Sequence, residues 1–265
     1  MLRPIAAFLA LLLAFGLAHA APAETVVGEW TDGARANRVV PYKIYLAPAQ
    51  TAQPVVVFSH GLGGNRDGTE YLLRFLAENG YVAVAVQHPG SDTPSVFGAA
   101  TAGGGFDQSK MEDGIRQATM PSTAADRFRD IPFAIDELTK MNTSDARLRG
   151  HLDMNRLGMS GHSYGAVTTL ALAGQGFDPG ARLSFADRRI KAAIAYSPNK
   201  PKQGDPARQF ANIRIPTFHM TGTEDKNPLD GGDPVENRQV PYRSIKSVDK
   251  YLVVFTGGDH MIFSG

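Results

Sequence analysis

The chain has 265 residues, with 27 Lys and Arg against 26 Asp and Glu, a net charge of +1 and no cysteine. That balance offers neither a basic surface for nucleic acid nor an acidic tail. The missing thiol excludes a cysteine nucleophile, a thiolate metal site and a disulfide framework, so the fold has to rest on its core, which this length can supply.

The first twenty residues read as a secretory signal peptide. Arg3 supplies the positive start, Ile5 to Leu17 form an apolar run, and Ala18-His19-Ala20 match a small-residue cleavage site. Cleavage is expected after Ala20, leaving Ala21–Gly265 as a single domain in a secreted or periplasmic protein. The competing reading is a membrane anchor, but the run is short for a span.

Arg38 to Leu46 alternates from Pro41 onward, which predicts a half-exposed strand, and Pro41 suggests an edge position. Val55 to Ser59 is a continuous apolar run, as in a parallel strand covered on both faces. His60-Gly61-Leu62-Gly63-Gly64 follows it at once. Tyr71, Leu72, Phe75 and Leu76 have helical spacing, with Gly80 as the stop, and Tyr81 to Val86 form a second buried strand. This β-α-β unit predicts a doubly wound α/β fold with a mostly parallel sheet and helices on both faces.

Ser91 to Pro121 breaks the rhythm and reads as a long connection over the carboxyl edge of the sheet. A helix is expected from about Ser122, with Phe128, Ile131, Ala134, Ile135 and Leu138 as its apolar face and Pro132 as an irregularity. Strands follow at Arg156–Ser160, Ile190–Tyr196, Ile215–Thr221 and Tyr251–Phe255, with a loop at Ser197–Ala207. His260 lies five residues from the end, where such a sheet usually closes with a covering helix, so the expectation is either an unusual C-terminus or a truncated sequence lacking that helix.

Between Ser160 and Ala166 the sequence Gly161-His162-Ser163-Tyr164-Gly165 has the spacing G-x-S-x-G, set between a predicted strand and a predicted helix. A serine on so tight a turn points outward, and its neighbours two residues away must be small because strand and helix crowd there. The idle-turn reading is a glycine-rich bend with a serine of no consequence. Against it stand two further strand ends. Asp225 follows the strand ending near Thr221, and His260 follows the last strand. Parallel strands bring their carboxyl ends to one edge, so Ser163, Asp225 and His260 can meet, in the chain order of α/β-hydrolases.

In that constellation Ser163 is the nucleophile, His260 its base and Asp225 the group that orients His260. Glu224, Asp230, Asp233 and Asp259 are nearby carboxylates, and Asp230 or Asp233 remains an alternative to Asp225. The oxyanion donors are expected at the backbone N–H of Leu62 and Tyr164. A phosphate-cradling reading of the glycine loop lacks the G-K-[ST] that should follow. His60 and His162 are expected to position loops, and His88, with Ser91 and Asp92, to line the pocket. A metal at His88 and Asp92 lacks a third ligand. Trp30 and Tyr71 are candidates for core or pocket wall.

Val55–Gly64, Gly80–Pro89, Gly161–Gly165, Gly222–Asp225 and Gly257–His260 together resemble the α/β-hydrolase superfamily. More narrowly, Arg38–Tyr45, Phe58–Gly64 and Gly161–Gly165 resemble exported dienelactone hydrolase-like proteins and platelet-activating factor acetylhydrolase. The resemblance implies a serine esterase acting on a small-molecule or lipid ester, with short acyl groups suggested by the acetylhydrolase. One departure stands out: true dienelactone hydrolases carry a cysteine at the elbow, where this chain has Ser163. Lipase, phospholipid acyl hydrolase and polyester hydrolase are the alternatives within the same mechanism, and a non-catalytic binding protein is the alternative outside it. No cofactor, metal or nucleic acid partner is expected, and no membrane span after signal cleavage; the oligomeric state stays open.

Overall fold

The computed structural model describes residues 22–177, 180, 182–229, 232–246 and 248–264. The expected signal peptide and Asp230 therefore lie outside the described residues. Among the described residues, no helix is long and apolar enough to cross a membrane.

An eight-stranded sheet runs β1-β2-β4-β3-β5-β8-β9-β10. β1 (Glu24–Asp32) and β2 (Arg38–Leu46) form an antiparallel hairpin, and β2 pairs antiparallel with β4 (Val82–Val86). From there the pairing is parallel through β3 (Gln53–Ser59), β5 (Leu152–His162), β8 (Ile190–Tyr196), β9 (Thr217–Glu224) and β10 (Lys250–Asp259). β6 (Gly176–Phe177) and β7 (Leu183–Ser184) make a separate small ladder. The expected α/β architecture is present.

The apolar runs divide by the two-residue period of a strand. In β4, Val82, Val84 and Val86 face one core with Val55 and Val57 of β3, under the long helix that supplies Phe128, Ile131, Ile135 and Leu138. Ala83 and Ala85 face the opposite core with Phe58, Leu73 and Ala77. Each fully buried Val contributes roughly 1.5–3 kcal/mol. Small side chains on the second face let α1 (Glu70–Glu78) pack close to the sheet.

Two expectations need correction. Pro41 is not on an edge strand, since β2 lies between β1 and β4. Its carbonyl accepts from Gln87 N at 2.9 Å, just past the last residue of β4. Its missing N–H is directed to the same side, where the β2–β4 ladder has already ended, so the proline sits inside the sheet without breaking an interior bond. The stretch Ser91–Pro121 is a connection, as expected, but it is built of two helices, α2 (Thr93–Thr101) and α3 (Gln108–Ala118). Asp92 and Asp107 cap them by accepting from Ser95 N and Lys110 N, which is the start signal that the weak apolar pattern concealed.

α4 (Pro121–Ser144) carries Pro132 without ending there, and α5 (Tyr164–Ala173) is buried on nearly every side. Between β8 and β9 the expected loop contains one short turn of helix, α6 (Pro206–Gln209), and a single turn at Val235–Gln239 leads into α7 (Val240–Ser244). β10 closes the sheet at an edge, with Tyr251, Val254 and Phe255 exposed. Trp30 belongs to the core, stacked on Tyr42 with ring centroids 3.9 Å apart, whereas Tyr71 is exposed.

Candidate active site

The elbow is built as the spacing requires. β5 ends at His162, α5 starts at Tyr164, and Ser163 between them has φ 57° and ψ −113°. A non-glycine residue with positive φ costs of order 1–3 kcal/mol and persists only where its surroundings hold it. Here the Ser163 N–H donates to Tyr196 O at 2.9 Å, and the Ser163 carbonyl accepts from Ala166 N at 2.9 Å. The two glycines are demanded by contact. A Cβ on Gly165 would collide with Ser59 O, and one on Gly161 with Gly165 O.

The three strand ends meet. Ser163 Oγ lies 2.9 Å from His260 Nε2, and His260 Nδ1 lies 2.7 Å from Asp225 Oδ1. The network assigns the proton on Nδ1 to the bond with Asp225, leaving the Nε2 lone pair for the Ser163 hydroxyl. Asp225 and His260 are buried and Ser163 is half-buried. Burial alone would push the Asp225 carboxyl up. The His260 hydrogen bond, the Arg238 charge and the Thr221 hydroxyl, which donates to Oδ2 at 2.7 Å, outweigh it and hold the group below the usual carboxylate range. Of the alternative carboxylates described, Asp233 accepts from Asn237 Nδ2 and Asp259 from Met261 N.

The glycine loop after β3 lies against the serine. A Cβ built on Gly61 would stand 3.6 Å from Ser163 Cβ. Gly63 N and Gly64 N are committed to Ser91 O and Gly61 O, whereas Leu62 N and Tyr164 N have no acceptor in the turns and loops of the described residues. Tyr164 follows the serine directly, and Leu62 follows Gly61, the loop residue that lies against it.

The histidines separate into different jobs. His162 donates from Nε2 to His260 O at 2.8 Å, and its ring lies 4.8 Å from that of His260. Burial and the neighbouring His260 lower its pKa to about 4. His60 donates from Nδ1 to Gly61 O at 2.6 Å and accepts from His88 N at 3.1 Å, which shapes the oxyanion loop. Burial, chiefly, and the charge of Arg127 push it well below the ordinary histidine value.

His88, Ser91 and Asp92 do not line a pocket; all three are buried. His88 donates from Nδ1 to Asp130 Oδ2 at 3.0 Å and accepts from Ser59 Oγ at 2.9 Å, and burial lowers its pKa to about 4. Asp92 accepts from Gln87 Nε2 at 2.8 Å and caps α2. The metal reading of this pair fails because each side chain already has other partners.

Several working residues carried no motif. Arg127 is fully buried and donates to Ser59 Oγ, Ser91 Oγ, Thr168 Oγ1 and His60 O. Its guanidinium also lies 4.7 Å from the centroid of the Tyr164 ring. It thereby ties the glycine loop to Tyr164, the residue after Ser163. Asp130 accepts from Arg35, Arg38 and His88, and although burial opposes its charge, Arg38 and His88 hold it at about 2. One signal was available: Arg127 falls on the same stripe as Ile131, Ala134 and Leu138, where an unpaired arginine is not tolerated. Arg238 stands beside Asp225 and His260, in a stretch of Asn, Pro, Gly and Asp that reads only as loop.

Two surface concavities lie elsewhere. One of about 530 Å³ is bounded by Arg214, Pro216, Lys246, Val248 and Asp249, and one of about 490 Å³ runs along α2 and α3 from Ala100 to Lys110. Neither contains a residue of the Ser163–His260–Asp225 chain, so the chemistry and not the concavity defines this site.

With fold and geometry in view, the comparisons are consistent. The family model for platelet-activating factor acetylhydrolase, isoform II, matches residues 18–100, a segment that takes in β1, the glycine loop after β3 and most of α2. The platelet-activating factor acetylhydrolase of Cavia porcellus is 24% identical over 202 residues, covering 69% of this chain and 44% of its own length. The chain thus spans less than half of that curated relative. Among solved structures, a protein assigned as a dienelactone hydrolase from Klebsiella pneumoniae superposes with a TM-score of 0.61 at 16% identity, over 89% of this chain and 88% of that one. The acylaminoacyl peptidase of Pyrococcus horikoshii superposes with a TM-score of 0.63 at 17% identity, over 95% of this chain and 39% of its own. The chain has the α/β-hydrolase fold.

Proposed function

We propose that this protein is a serine hydrolase that cleaves carboxylic esters through an acyl-enzyme on Ser163. One observation carries the reading: the unbroken chain Ser163 Oγ, His260 Nε2, His260 Nδ1, Asp225 Oδ1, with links of 2.9 and 2.7 Å. His260 takes the Ser163 proton as Oγ attacks the ester carbonyl, and Asp225 stabilises the imidazolium. Leu62 N–H and Tyr164 N–H receive the oxyanion. His260 then returns the proton to the leaving alcohol. Water, activated by the same histidine, releases the acid and regenerates the serine.

The acetylhydrolase relative favours a short acyl group. A lipid ester is the second reading, favoured by Met261 and Ile262, which follow His260 directly and are exposed. Export with loss of residues 1–20 is part of the proposal. It rests on the apolar run ending at Ala18-His19-Ala20.

The test is fluorophosphonate labelling of the purified protein, read by intact mass, beside a series of p-nitrophenyl esters of rising chain length. The expected result is one adduct, absent in Ser163→Ala, with ester turnover falling at least about 10³-fold in that variant. No adduct on folded wild-type protein would sink the proposal and leave the binding-protein reading. The intact mass of protein recovered from an exporting host should correspond to a start at Ala21.

A further inference from the structure

The serine, histidine and aspartate do not account for everything placed at the site. Arg238, on the single turn before α7, is 3% exposed, and all three guanidinium nitrogens are engaged. Nε lies 3.2 Å from Asp225 O and 3.1 Å from Asp225 Oδ1. Nη1 donates to Ser197 O at 3.2 Å and to Asn199 Oδ1. Nη2 donates to Lys226 O at 3.2 Å and lies 3.0 Å from His260 Nδ1.

This last approach is unusual for a base. In the competent tautomer Nδ1 already carries a proton for Asp225, so Arg238 and His260 converge on the carboxylate as two donors. In the other tautomer Nδ1 could accept from Arg238, and Nε2 would then hold a proton and be useless as a base. The ionised Asp225 decides between them, and Arg238 keeps it ionised.

We propose that Arg238 is a positioning residue that fixes the working tautomer of His260, by pinning Asp225 in place as the acceptor of the Nδ1 proton. The inference rests on the esterase reading above. The charged groups around His260 are few. Asp225 follows β9, Arg238 precedes α7, His162 ends β5 with its ring 4.8 Å away, and Asp259 adjoins His260 on its own strand with its carboxylate turned to Met261 N. Asp233 adds a more distant charge facing Arg238. Burial holds His162 at about 4, so it adds no charge at neutral pH. Arg238 is therefore the cation in contact with the base.

The experiment measures kcat and KM on a p-nitrophenyl ester for wild type, Arg238→Gln and Arg238→Lys, with thermal midpoints recorded beside each. Arg238→Gln removes the charge-assisted contacts to Asp225 and is expected to lower kcat about tenfold with KM unchanged, while Arg238→Lys, which keeps the charge and loses the fork, recovers part of kcat. An Arg238→Gln variant with wild-type kcat would overturn the inference, as would a loss confined to KM. If Arg238→Gln fails to fold, the Lys variant decides alone: a lowered kcat at unchanged KM supports the inference and a wild-type kcat overturns it. Failure of the esterase reading looks different, because wild type itself would then give neither adduct nor turnover.

Discussion

The two halves of the site are held by different means. Ser163 sits at the centre of the sheet, between β3, β5 and β8, above a helix buried nearly all round. Its strained backbone is fixed by backbone contacts so tight that two positions admit only glycine. His260 and Asp225 hang from β9 and β10, the last two strands, and β10 exposes most of its side chains. There the geometry is kept by hydrogen bonds: Thr221 and Arg238 on Asp225, His162 on the His260 carbonyl. Ser163 is thus placed by packing and His260 by polar contacts, and the two should fail differently.

The largest contrast is expected at the centre. Gly165→Ala forces a Cβ into the Ser59 carbonyl, and backbone cannot retreat as a side-chain tip can. We expect a loss of more than about 4 kcal/mol, seen as a collapsed thermal midpoint or insoluble protein. A variant that keeps the wild-type midpoint would show that the elbow is less crowded than described.

Acid should also strike the centre. His88 is held near 4, against an ordinary value near 6.5, chiefly by burial. The unfolded chain therefore takes up a proton below about pH 6.5 that the folded protein refuses. The resulting stability is full above that pH and is lost as pH falls towards 4, by about 3 kcal/mol for this one group. Urea midpoints at about pH 7 and about pH 4.5 measure it. An unchanged midpoint would mean that His88 is not buried in neutral form.

The smallest effect belongs to the edge. Thr221→Val removes one donor from Asp225 while keeping the shape of the side chain. A buried hydrogen bond to a charged group is worth about 1.5–3 kcal/mol, and Arg238 and His260 remain to hold the carboxylate. We expect kcat/KM to fall by about tenfold with KM little changed. A fall at the centre, detected as slower refolding or loss of sheet signal, would show the two halves to be coupled.

Much of this site was legible before the fold was known. G-x-S-x-G between a strand and a helix is a local pattern with a local steric cause, and strand ends of a parallel sheet share one edge whatever separates them in sequence. That the glycine loop lies against Ser163 followed from its place after the strand ending at Ser59. What escaped was of another kind. His88 sits at a strand end like the others, yet its partner is Asp130, on a helix forty-two residues away, and that contact takes it out of the pocket. Pro41 obeys the rule against prolines inside sheets only because β4 stops one residue short of it.

The sequence by itself determined the strand-turn-helix elbow, the class of sheet and the identity of the three residues that meet. Spacing and hydrophobic period are short-range properties, and the sheet's parallel order converts them into a common edge. Only the tertiary structure decided that two buried arginines serve the site, Arg127 behind the oxyanion loop and Arg238 against Asp225 and His260. A buried charge is tolerated only where distant segments deliver its partners together, and no local pattern records that meeting.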